Sequence, residues 1–92
     1  MHIDVRLAYF VYVILCENGN YYTGYTKNVE MRFRQHKRGI GARYTRMNKP
    51  KKVVHVEKYQ TRREAVQRER EIKSLSHRRK QALAESIHRV ST

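Results

Sequence analysis

From Ala8 to Cys16 the chain is almost continuously apolar or aromatic and rich in β-branched residues; Asn18-Gly19 interrupts the run, and Tyr21 to Thr26 resumes strand-forming types. Asn-Gly readily takes the positive φ of a tight turn, so the stretch predicts a β-hairpin with Tyr12 on its first strand and Tyr22 on its second. Gly24 falls inside that second strand, where a missing side chain leaves room for a close approach to the backbone. The period then changes. Val29, Phe33 and His36 recur at helical spacing after Thr26-Lys27-Asn28 has offered a capping side chain, and they predict a helix over 28–38 that Gly39 and Gly41 end. Pro50 restricts what precedes it, and Val53, Val54, Val56 and Tyr59 predict a third strand over 53–58. Thr61-Arg62-Arg63-Glu64 has the form of a capping box. It opens a second helix over 62–74, whose inward stripe would be Ala65, Glu69, Ile72 and Leu75 or Ser76, with Val66 alongside. Ser76 can cap a third, basic helix through about Ile87, with Ala82, Leu83 and Ile87 inward. Met1 to Leu7 and the last residues show no periodicity and are expected to be frayed ends.

The pattern predicts an α/β (α+β) fold, a hairpin sheet joined by a third strand and flanked by about three helices. A chain of 92 residues suffices for one domain, 1–92, with a small core. Charge changes the picture most. A formal charge of +13, from 21 Lys plus Arg against 8 Asp plus Glu, exceeds what solubility requires and points to a polyanionic partner. Eight cations, Arg34, Lys37, Arg38, Arg43, Arg46, Lys49, Lys51 and Lys52, fall in one stretch without an acid, expected to be a loop with a strongly positive surface. No run approaches the roughly 18 apolar residues that cross a bilayer, and the opening lacks the order of a signal peptide, so a cytoplasmic protein without a membrane partner is expected. The one cysteine, Cys16, excludes an internal disulfide, and its apolar strand predicts a buried, inert thiol.

Some chemistry can be set aside. One Cys and five scattered His do not fall at zinc-ligand spacing, no Gly-x-Ser-x-Gly turn exists, and the glycines form no phosphate loop. What remains is a set of polar groups on otherwise packed faces: Tyr12, Tyr22, Arg32, His36 and Glu69. Arg32 and His36, four apart, lie one above the other beside the stripe of Val29 and Phe33. Each has a bland explanation alone, as a packing tyrosine, a solvated arginine or a satisfied histidine. Glu69 differs, because a carboxylate on an inward face needs a partner.

Tyr12-Val13-Ile14, then Tyr22-Thr23-Gly24, then Lys27-Asn28-Val29-Glu30-Met31-Arg32 with His36, then Glu64-Ala65 followed by Glu69, resemble the GIY-YIG nuclease domain in order and spacing. The resemblance covers about residues 8 to 88. It extends to the small stand-alone bacterial members through Gly41-Ala42-Arg43-Tyr44-Thr45-Arg46 and Arg68-Glu69-Arg70-Glu71-Ile72-Lys73. Val11-Tyr12-Val13 stands where the family name has Gly-Ile-Tyr, and Thr23 replaces the Ile of the second triplet; Tyr12, Tyr22 and Gly24 are retained.

The resemblance implies a three-stranded antiparallel sheet with helices around it, and hydrolysis of a phosphodiester with one divalent metal. Tyr12 and Tyr22 would jointly activate water, although a tyrosine of ordinary pKa near 10 is a poor base unless a neighbouring cation lowers the cost of its phenolate. Arg32 would hold the scissile phosphate, and His36 would hydrogen-bond a tyrosine or the phosphate. Glu69, a hard oxygen donor, would hold Mg²⁺ or Mn²⁺. The cations from Arg34 to Lys52, with Lys27 and the Arg78-Arg79-Lys80 cluster, would hold the nucleic-acid backbone, and Tyr44 would stack on a base. A metal-dependent endonuclease acting on DNA, at branched or frayed structures and in repair or recombination, is the expected function. The alternative is a non-catalytic nucleic-acid-binding module on the same fold. Larger family members carry a separate specificity domain; none is expected here, and a protein partner would then supply selectivity.

Overall fold

The computed structural model describes residues 8–90, with side chains through Ser86. Residues 1–7 and 91–92, expected as frayed ends, lie outside the described residues, as does the Ile87 side chain that was expected to face inward. In chain order the elements are β1 (Tyr9–Cys16), β2 (Tyr21–Thr26), α1 (Val29–Lys37), α2 (Arg43–Met47), β3 (Pro50–Tyr59), α3 (Arg62–Lys73) and α4 (His77–Val90). The sheet has the order β2-β1-β3, with both pairings antiparallel.

The expected hairpin forms, with Gly19 at a φ of +87° in its turn. The central strand β1 is covered on both faces, which is why its sequence is continuously apolar rather than alternating. Val11 and Val13 pack with Ala65 and Ile72 of α3 on one face, joined by Leu75 and Leu83. Tyr12, Ile14 and Cys16 pack on the other with Tyr22, Val29, Phe33 and Val53. Cys16 is buried, and burial pushes its thiol pKa up, as expected of an inert core residue. Asn28 caps α1 through the Met31 amide, and Thr61 and Glu64 close the reciprocal capping box of α3. Ser76 accepts from the Arg79 amide at the start of α4.

Four expectations change. The stretch expected as a single basic loop contains a fourth helix, α2, with Thr45 buried. The third strand begins at Pro50 rather than 53, because Cys16 extends its pairing to that residue through two register shifts. Ala82, expected inward on the last helix, is exposed, while its neighbour Leu83 packs against the core. That helix also runs to Val90, beyond the expected end at Ile87. Among the described residues no helix is long and apolar enough to cross a membrane.

Candidate active site

Tyr12 is directly opposite Gly24 in the β1–β2 pairing, so both side-chain positions face α1. A Cβ on Gly24 would stand 2.6 Å from the Tyr12 hydroxyl oxygen and 3.2 Å from Tyr22 Cε2. The glycine therefore lets the Tyr12 ring lie across β2, which places its hydroxyl toward the edge of the sheet. Tyr22, opposite Ile14 on the same face, brings its ring centroid to 6.3 Å from that of Tyr12. The helical phase of α1 supplies the third member. His36 is 1 % exposed, and its Nε2 lies 2.8 Å from the Tyr12 hydroxyl. Tyr12 is also 1 % exposed.

Arg32 is one turn before His36 on α1, and it donates to the neutral amide of Gln35 at 2.8 Å. No acid binds it among the described residues, and its charge acts on the site instead. Burial pushes the Tyr12 hydroxyl well above the usual tyrosine range; the neighbouring Tyr22 adds to this, Arg32 pulls it back, and Glu69 raises it again. Tyr22 is raised by burial too, opposed by Arg32 and reinforced by Glu69. His36 is lowered to about 4, first by burial and then by Arg32, so it is neutral at pH 7.

α3 packs on the Val11–Val13 face, opposite α1, yet it also rests against the edge strand β2. The Glu69 carboxylate thereby comes within electrostatic reach of both tyrosines. Its side chain is 16 % exposed, and among the described residues its ion-pair partner is Lys73, at 3.7 Å. No group of three or more His, Cys, Asp or Glu side chains stands ready to cage a metal among the described residues. One weakly paired carboxylate beside two phenols nevertheless fits a small, hard cation that keeps most of its water, as Mg²⁺ does.

The basic residues divide. Arg38, Arg43, Arg46, Lys49, Lys51 and Lys52 are exposed. Arg34 is held by Glu30, Lys37 lies over the Phe33 ring at 5.7 Å and Lys27 over the Tyr9 ring at 5.2 Å. Arg78 and Arg79 are exposed and Lys80 half-buried, on α4, whose Leu83 belongs to the layer away from α1. Tyr44 lies nearly parallel to Tyr22, with an interplanar angle of 21° and centroids 6.1 Å apart, so the residue expected to stack on a base already stacks on a site tyrosine.

Two residues near His36 were given no site role by the sequence reading. Thr45 Oγ1 lies 2.6 Å from His36 Nδ1, and a Cβ on Gly41 would overlap the same nitrogen and stand 2.9 Å from Cγ. Thr45 falls in the stretch Gly41 to Arg46 that resembles the stand-alone family members, but no role was given to it, because a hydroxyl in a basic stretch carries no distance information.

The family model described as the GIY-YIG catalytic domain matches residues 8–82. A UPF0213 protein of Haloquadratum walsbyi is 48 % identical over 77 residues, covering 84 % of this chain and 86 % of that protein. A UPF0213 protein of Staphylococcus aureus is 44 % identical over 73 residues, covering 79 % and 89 %. Among solved structures, the UPF0213 protein from Bacillus halodurans is similar with a TM-score of 0.54 and 38 % identity, covering 85 % of this chain and 83 % of that one. A protein from E. faecalis is similar with a TM-score of 0.59 and 36 % identity, covering 88 % and 86 %.

Proposed function

The chain belongs to the GIY-YIG catalytic-domain family, and from that premise we propose that it is a metal-dependent endonuclease hydrolysing DNA phosphodiester bonds. The observation that carries the reading is that a tyrosine hydroxyl hydrogen-bonded to a neutral histidine is flanked by opposite charges, Arg32, which no acid binds among the described residues, and Glu69, which pairs only loosely with Lys73 at 3.7 Å. A fold that needed these residues only for packing would have paired them closely, as it pairs Glu57 with Arg68 at 2.8 Å.

Arg32 binds the scissile phosphate and offsets the charge that develops on it. Tyr12 and Tyr22 receive the attacking water at their hydroxyls, and Tyr12 passes its proton to His36 as it takes one from the water. Both groups resist this in the resting protein, since Tyr12 is raised and His36 lowered. Phosphate bound at Arg32 cancels part of the charge that depresses His36, so substrate itself makes the transfer less costly. Glu69 would hold Mg²⁺ or Mn²⁺, which when bound supplies Lewis-acid stabilisation of the leaving oxygen. The exposed cations of α2 and the adjoining loops bind the backbone without reading sequence, which favours branched or frayed DNA and a role in repair or recombination, with any sequence choice left to a protein partner.

The test is cleavage of single-stranded, duplex and branched DNA with Mg²⁺ or Mn²⁺, beside Tyr12→Phe. Cutting of branched substrates that Tyr12→Phe loses is expected. Tight DNA binding with no cutting of any substrate favours the non-catalytic module instead.

A further inference from the structure

Thr45 is 2 % exposed, yet it contributes to neither hydrophobic cluster. Its hydroxyl donates to the Ala42 carbonyl at 2.9 Å and lies 2.6 Å from His36 Nδ1. A hydroxyl has one hydrogen. With that hydrogen on Ala42, the oxygen can only accept along the line to His36, so Nδ1 must carry the ring proton. Nε2 is then left as a lone pair facing the Tyr12 hydroxyl at 2.8 Å. The opposite tautomer would need Nδ1 to accept, either from Thr45 at the expense of the Ala42 bond, or from the Ala42 amide at 3.4 Å, the longest contact in the set. Gly41 gives the imidazole its place in this arrangement, since any Cβ there would strike the ring.

We propose that Thr45 is a positioning residue for the cleavage reaction, holding His36 as the Nδ1–H tautomer so that Nε2 is the acceptor for the Tyr12 proton. The role rests on the endonuclease reading. The proton balance requires it: water gives a proton to the Tyr12 oxygen, Tyr12 gives its own to Nε2, the water oxygen bonds to phosphorus, and the departing oxygen takes the bonding pair and a proton from solvent. The imidazolium so formed still donates Nδ1–H to Thr45, which needs no rearrangement. In the other tautomer Nε2 already bears a hydrogen and has no lone pair to offer. α2, a short helix with a single buried residue, accordingly positions the proton acceptor rather than only carrying cations.

The experiment uses the full chain in three forms, parent, Thr45→Val and Thr45→Ser. The histidine ¹⁵N resonances report the His36 tautomer, and cleavage of a branched DNA is measured across substrate concentrations to give kcat and KM. The parent and Thr45→Ser are expected to show Nδ1–H and to cut at rates within about threefold of each other, since the serine keeps the hydroxyl. Thr45→Val, which keeps the shape, should populate Nε2–H and lose about tenfold or more in kcat with KM for DNA unchanged. An Nε2–H tautomer in the parent overturns the proposal without reference to activity, as does a Thr45→Val protein that cuts at the parent rate. A parent that shows Nδ1–H but cuts nothing removes the endonuclease reading and the positioning role with it, and the spectra show which failed first.

Discussion

Two clusters in this molecule use the same four residue types, tyrosine, histidine, arginine and glutamate, and treat them in opposite ways. His55, Glu57 and Tyr59 alternate along β3 and so face one side of the sheet, where Arg68 of α3 meets them. Glu57 accepts from Arg68 Nε at 2.8 Å and Nη2 at 3.1 Å, and from the Tyr59 hydroxyl at 2.7 Å, with His55 Nε2 also at 2.7 Å. Burial alone would raise this carboxyl, but the bonds from Arg68, Tyr59 and His55, with the charge of Arg68, hold it at about 2. The candidate active site has no such closure. Arg32 binds a neutral amide, Glu69 lies 3.7 Å from Lys73, and both tyrosines are raised. Charge answered by charge marks the Glu57–Arg68 contact as a structural tie between β3 and α3, even though the buried His55 Nδ1 has no hydrogen-bond partner among the described residues, whereas the looser pairing of Arg32 and of Glu69 beside the tyrosines is what a ligand site would require.

Neutralising each glutamate should separate these roles most sharply. Glu69→Gln preserves shape and removes the charge that would hold a cation, so plasmid nicking with Mn²⁺ should fall by about 10³-fold or more. Its melting temperature should stay within a few degrees of the parent, because the loose pairing with Lys73 contributes little. A variant that still nicks at the parent rate would take Glu69 out of the metal role.

Glu57→Gln should do the reverse. It removes the charge opposite Arg68, which keeps only the more exposed Glu71 carboxylate at 3.2 Å, and should cost about 3 kcal/mol, lowering the melting temperature by about 10 °C or more, with cleavage intact in the folded fraction. The parent's acid titration reports the same tie. The folded pKa of Glu57, about 2, lies below its ordinary 4.5, so its stabilisation is complete above 4.5 and is lost as pH falls toward 2. Melting followed across that window should show a loss of about 3 kcal/mol that Glu57→Gln lacks. Parallel curves for parent and variant would show that Glu57 is not the group responsible.

Legibility in the sequence followed the same division between local and distant causes. The hairpin turn, the Asn28 cap and the Thr61–Glu64 box are settled within a few residues and could be read directly. Tyr12, Tyr22 and His36 could be named because their spacing carried a family resemblance, but their mutual approach depends on Gly24 and on the phase of α1. The Glu57–Arg68 pair could not be read, since it joins residues 11 apart through the register of β3 and the rotation of α3. Helix α2 was hidden for another reason: its stretch has one buried residue and no apolar stripe, so the helix is held by the Thr45 hydrogen bonds with His36 and Ala42 rather than by periodicity.

Gly24→Ala probes the site by geometry alone. Its added Cβ would strike the Tyr12 hydroxyl and the Tyr22 ring, and two packed rings cannot both retreat without moving the reacting oxygens. A displacement of about an ångström can cost up to about 10²-fold, so cleavage should fall by about 10- to 100-fold. The Glu57 cluster, on the opposite face, should keep its acid titration. An alanine variant with parent activity would mean that Tyr12 need not lie across β2.

The smallest effect is one whose sign matters more than its size. In the absence of divalent metal, the Glu69 charge repels a phosphate bound at Arg32, whereas the Glu57 charge is already cancelled by Arg68. Glu69→Gln should therefore bind metal-free DNA as well as the parent or about twofold tighter, a Coulomb effect of about 0.5 kcal/mol through water. Glu57→Gln should leave the affinity unchanged. Salt provides the internal control, because removing one phosphate-binding cation reduces the slope of log K against log salt by about 0.7 to 0.9. Arg43→Ala with Arg46→Ala should flatten the slope by about two such steps, while Glu69→Gln should leave it nearly unaltered. Weaker metal-free binding by Glu69→Gln would reverse the comparison, since it would mean that the carboxylate supports the DNA surface instead of opposing it, as a group committed to structure would do.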